Sequence, residues 1–143
     1  MTDTTSMVRG IEEFYRGYID AFNREDIDLY LRMFDLPYVI VSGERAAMVV
    51  ADEAAREKFY TQMMIGIKSR DWARSGIDLM KAWVLGEKLA MLLADVTRYR
   101  RDDSVIERLR ACYTLRNDGK AWRIVALTEV RAPFTGPGDI ARS

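Results

Sequence analysis

Residues 88–116, KLAMLLADVTRYRRDDSVIERLRACYTLR, carry the pattern that decides the fold. Two long runs, Lys88–Arg100 and Val105–Arg116, flank the turn signal Arg101-Asp102-Asp103. In the first run Leu89, Met91, Leu93, Asp95, Thr97 and Tyr99 alternate with Ala90, Leu92, Ala94, Val96 and Arg98, a period of two that belongs to a strand. The break between the runs is too short for a crossover helix, so the two strands pair antiparallel. Further turn signals at Gly86-Glu87 and Asn117-Asp118-Gly119 bound two more runs, Trp72–Leu85 and Ala121–Arg131, and the four strands form a meander. Both alternating sets are rich in apolar side chains. Helices covering one face leave Leu89, Met91 and Leu93 bare on the other, which predicts a homodimer through the open sheet face.

Upstream the period changes to that of helices. Ile11, Phe14, Tyr15, Tyr18, Ile19 and Phe22 make one apolar face of a helix over Met7–Phe22. Asp26 caps a short second helix carrying Ile27, Leu29, Tyr30, Met33 and Phe34, and Pro37 stops it. A hairpin follows, with Tyr38–Ser42 as one strand, Gly43-Glu44 as the turn and Ala46–Val50 as the return. Asp52 and Glu53 open a third helix that runs through Lys68. The chain is therefore expected to be α+β: three N-terminal helices packed on a strongly curved, mainly antiparallel sheet. At 143 residues it reads as one domain, 1–143, with a core at about 7–131 and a tail at 132–143, where Pro133, Gly136, Pro137 and Gly138 indicate a loop.

Composition narrows the chemistry. Basic and acidic residues balance at 22 each, so neither nucleic acid nor a membrane surface is the expected partner. Zero histidines exclude Ser-His-Asp, Cys-His and HExxH catalysis, and Cys112 alone forms neither an intramolecular disulfide nor a multi-thiolate metal site. No metal and no cofactor are expected. The opening MTDTTSMVRG has no export signal, and no window approaches the roughly 18 apolar residues of a membrane span. A cytoplasmic protein is expected.

Two short segments add a likeness. Tyr18-Ile-Asp-Ala-Phe-Asn23-Arg-Glu-Asp26 is similar to the first-helix segment of a ketosteroid isomerase, and Glu57-Lys-Phe59-Tyr60 follows on the third helix. With the order of elements, the chain from Met7 to Val130 resembles the nuclear-transport-factor-2-like superfamily, which includes ketosteroid isomerases and SnoaL-like polyketide cyclases. The resemblance implies a cone-shaped cavity between helices and sheet, and dimers in many members. The isomerases use a tyrosine and a protonated aspartic acid as oxyanion donors, with an aspartate as base. Tyr18 matches the tyrosine, but the base position falls on Ser42 and the second donor on Ala111, neither of which does an acid's work.

Counting the alternation forward puts Leu92, Ala94, Val96 and Arg98, then Glu107, Leu109, Ala111 and Tyr113, then Trp122, Ile124, Ala126 and Thr128 on the cavity side. Tyr18 and Glu107 are the candidate catalytic residues, and Tyr38, Ser42, Arg98, Tyr113, Trp122 and Thr128 the candidate ligand contacts. Arg98 and Glu107 face each other across the turn, either as a base tuned by its arginine or as a cross-strand ion pair. Tyr18 is either a donor to a ligand oxygen or a core tyrosine. Arg108, Arg110, Arg116, Arg123 and Arg131 fall on the opposite face with Asp95 and Glu129, as an ion-pair network. The expected function is binding of a small hydrophobic ligand in an apolar cavity. Any reaction there is a metal-free lyase, cyclase or isomerase step, not that of a standard ketosteroid isomerase. The alternative is a non-catalytic ligand-binding or protein-interaction domain.

Overall fold

Three aspartates start the three helices of the computed structural model, which describes residues 3–134. Asp3 accepts from the Thr5 N–H at 3.4 Å and opens α1 (Thr4–Asn23), which therefore begins ahead of the expected Met7. Asp26 accepts from the Leu29 N–H at 3.3 Å to open α2 (Ile27–Arg32), and Asp52 from the Ala55 N–H at 2.8 Å to open α3 (Glu53–Lys68). Each carboxylate satisfies a backbone donor that the first helical turn leaves without a partner.

The strands are β1 (Phe34–Ser42), β2 (Met48–Val50), β3 (Trp72–Val84), β4 (Leu89–Arg100), β5 (Val105–Asn117) and β6 (Trp122–Arg131). They form one curled, unclosed sheet in the order β2-β1-β6-β5-β4-β3. The expected meander is present from β3 to β6, and the hairpin joins it because β1 pairs parallel with β6. β1 starts at Phe34 rather than Tyr38. The proline without an N–H sits in the irregular stretch between Phe34 and Val39, where it interrupts no regular ladder.

One extra residue in β6 decides what faces the cavity. Leu115 pairs with Ile124 but Thr114 pairs with Ala126, so Val125 bulges out of the ladder and the alternation reverses beyond it. Leu127, Glu129 and Arg131 consequently turn toward the helices, while Thr128 and Val130 turn outward and are exposed. This corrects the counted alternation, which has Thr128 inside and Glu129 and Arg131 outside.

The main core lies between the helices and the concave face, from Ile11 and Phe22 on α1 to Leu92, Leu115 and Ile124 on the sheet. The outer face is less bare than expected. Leu93 is buried and Met91 half-buried, and only Leu89 of the three is exposed. Beside Leu93, Asp95 takes two bonds from Arg110, at 2.7 and 2.9 Å, and Phe134 lies over that guanidinium at 4.4 Å. Of the expected tail loop, Thr135–Gly138 lie outside the described residues. Among the described residues no helix is long and apolar enough to cross a membrane.

Candidate functional site

The helical period that buries α1 also builds the floor of a cavity. Tyr15, Tyr18, Ile19 and Phe22 stand at i, i+3, i+4 and i+7 on one face, and all four line a space of about 790 Å³. Tyr30 from α2, Phe34 from β1 and Tyr113 from β5 complete this buried end. The rings pack on one another: Tyr18 stacks on Tyr15 at 5.4 Å and on Tyr30 at 5.1 Å, and meets Tyr113 edge-on at 5.8 Å.

The hydroxyls pair as the rings do. Tyr15 and Tyr113 hydroxyls are 3.1 Å apart, as are those of Tyr18 and Tyr30. Four hydroxyls joined in two pairs make two bonds, so two O–H hydrogens are left over for other acceptors. Burial pushes all four well above the ordinary tyrosine range. They are neutral donors at any physiological pH.

The open end of the cavity is ionic. Glu107 receives both terminal nitrogens of Arg70, at 3.2 and 2.9 Å, Nη1 of Arg98 at 2.6 Å and Nε of Arg131 at 2.9 Å. Arg131 also donates from Nη1 to Glu44 at 2.9 Å. Burial pushes Glu107 up, but the bonds from Arg70, Arg131 and Arg98 together outweigh it and hold the carboxyl at about 2. A carboxylate so held is a poor proton acceptor near neutrality. Of the two readings of Arg98 and Glu107, the ion pair fits this geometry, with two further arginines added to it. Glu107 is expected to move a proton, and the structure places it as the shared anchor of Arg70, Arg98 and Arg131.

The expected site residues divide into two groups. Tyr18, Tyr113 and Arg98 line the cavity together, and Glu107 is not part of the wall although its three arginine partners are. Tyr38 is buried against Phe34, ring centres 4.6 Å apart, and off the cavity wall. Burial pushes its hydroxyl up to about 12. Ser42 ends β1, where its Oγ accepts from the Glu44 N–H at 3.4 Å, and Trp122 packs half-buried against the core before the bulge. Thr128 faces away. Ala111 does line the cavity, opposite Glu129 in the ladder.

Sequence reasoning missed Glu129, Arg131, Arg70, Tyr15 and Tyr30 as lining residues. The two tyrosines had a signal, since they share the apolar faces that carry Tyr18 and Leu29. Glu129 and Arg131 depended on a bulge that no glycine marks. Among the described residues no group of three His, Cys, Asp or Glu side chains gathers to hold a metal ion.

Solved structures share this architecture at low identity. An NTF2-like protein from Pseudomonas putida superposes with a TM-score of 0.71 at 15% identity, over 96% of this chain and 94% of its own. An NTF2-like protein with a cystatin-like fold from Novosphingobium aromaticivorans gives 0.71 at 12%, over 93% and 86%. A ketosteroid isomerase-like protein from Erwinia carotovora atroseptica gives 0.67 at 15%, over 89% and 97%. Such identities carry the fold and not an activity. No curated protein sequence matches the chain. The family model described as NTF2-like protein (DUF6841) matches residues 7–132, so the chain belongs to this NTF2-like family.

Proposed function

We propose that the protein binds a small hydrophobic molecule in this cavity, with an oxygen of the ligand held by the tyrosine cluster at Tyr18. The observation that carries this reading is the pair of leftover O–H hydrogens among four buried, neutral hydroxyls at the floor of a largely apolar space. A mostly apolar pocket with a few convergent polar groups is the usual form of a small-molecule site, and such pockets span about 300–1,000 Å³. Tyr18 and Tyr113 supply the donors, and Arg98 a charged contact on the same wall.

The reaction this arrangement supports is a metal-free proton transfer beside a bound carbonyl, of lyase, cyclase or isomerase type. Tyrosine donors stabilise the enolate oxygen that develops. Glu129, on the cavity wall and close enough to Tyr18 to raise its pKa, takes the place of Glu107 as the carboxylate that accepts the proton. The chain acts as one domain and as a homodimer through the outer sheet face, supported by Leu89 and Val130, which are exposed on that face, and by half-buried Met91.

Fluorescence titration with a neutral naphthyl ketone, 2-acetylnaphthalene, tests the binding. Saturable binding at one site per chain is expected. The absence of saturable binding, for this ketone and for smaller phenyl ketones alike, overturns the reading.

A further inference from the structure

We infer that the ligand is an amphipathic carboxylate, whose acid group sits at the cavity mouth against Arg98 and Arg131 while its apolar body lies on the tyrosine floor. This rests on the cavity being a ligand site. The lining is divided by charge: Arg45, Lys58, Arg70, Arg98 and Arg131 are on the wall, and Glu129 is the one carboxylate among them. Counting also Glu44 and Glu107, which bond these arginines from off the wall, five positive charges meet three negative ones. The surplus of two is local, because the whole chain is neutral.

Donors remain for an incoming anion. Arg98 is nearly buried, at 12% side-chain exposure, and gives only Nη1 to Glu107. Among the described residues no acceptor meets its Nε or Nη2, or Nη2 of Arg131. Arg45 and Lys58 are exposed on the same wall, and neither has an ion-pair partner among the described residues. A guanidinium presents a planar fork that matches a carboxylate, and low-dielectric walls focus the field of the cluster on the opening. The low pKa of Glu107 reports the same positive surroundings. A bare inorganic anion leaves the aromatic floor empty, and a neutral apolar molecule leaves the surplus positive charge of the wall uncompensated. An amphipathic carboxylate occupies both ends.

The test compares 6-acetyl-2-naphthoate with its methyl ester, which share ring and ketone and differ in charge. The anion should bind about tenfold or more tighter at low salt, the advantage of one charge-assisted hydrogen bond. That preference should shrink as sodium chloride is raised, and Arg98→Met should lower anion affinity about tenfold more than it lowers ester affinity, so that the preference is lost. Equal binding of both compounds overturns the proposal and leaves the cavity reading intact, whereas binding of neither overturns both. A preference that ignores salt, or that survives Arg98→Met, also overturns it. The salt titration on the unaltered protein decides the matter should Arg98→Met fail to fold.

Discussion

The Tyr18 hydroxyl lies 3.1 Å from the Tyr30 hydroxyl, so two helices share one hydrogen bond at the buried end of the cavity. Tyr18→Phe removes that bond and should lower unfolding stability by about 0.5–1.5 kcal/mol, measured by denaturant titration. The functional part of the prediction is a selective loss. Affinity for 2-acetylnaphthalene should fall by a similar amount while affinity for naphthalene, which has no oxygen, stays the same. Equal losses for both compounds would mean that the hydroxyl only shapes the space.

Glu107 makes stability depend on acid. Its folded-state pKa of about 2 lies below the ordinary 4.5, so its contribution is fully present above about pH 4.5 and is lost as pH falls toward 2. Glu107→Gln should remove part of that acid sensitivity. Near neutral pH it should destabilise the protein by about 1–3 kcal/mol, because Arg70, Arg98 and Arg131 then repel one another without a shared anion. Thermal melts from pH 7 to pH 2.5 check both parts. A variant that tracks the unaltered protein across this range contradicts the clamp.

The outer sheet face should pair two copies. Sedimentation at tens of micromolar should give twice the 16.5 kDa of one chain. Val130→Lys, at an exposed outward position, should shift the population to monomers without lowering the stability of the single chain. Leu93 is the wrong place for this test, because it is already buried within one chain. A single 16.5 kDa species from the unaltered protein contradicts the pairing.

Efficient isomerisation of a Δ5-3-ketosteroid is not expected. Ala111, at the position the resemblance gives to the second oxyanion donor, lines the cavity with a methyl group, and Ser42 lies at the end of β1 off the cavity wall. Losing one donor typically costs about 10²–10³ in rate. The change in absorbance as the conjugated enone forms measures this directly, and turnover like that of a dedicated isomerase contradicts the assignment.

What could be read without coordinates was whatever local chemistry dictates. The spacing of Tyr15, Tyr18, Ile19 and Phe22 follows from 3.6 residues per turn, and Asp26 and Asp52 cap the helices that they announce. The alternation of β4 likewise placed Arg98 on the cavity side. What could not be read depended on register between distant segments. Nothing in Trp122–Arg131 marks Val125 as the extra residue, yet that residue exchanges Thr128 for Glu129 and Arg131 on the cavity wall. Arg70 reaches Glu107 across 37 positions of sequence from the turn after α3, a contact no periodicity encodes. Leu93 looked bare because alternation says which face a side chain takes and not what covers that face.

On this reading the tyrosine floor receives the ligand. Carbon-13 labelling of the tyrosine Cζ atoms, with spectra recorded while 2-acetylnaphthalene is added, tests this. The resonances of Tyr15, Tyr18, Tyr30 and Tyr113 should move along a shared saturation curve while that of Tyr99, outside the cavity lining, stays fixed. Saturation with those four unmoved, or with Tyr99 alone responding, would contradict it.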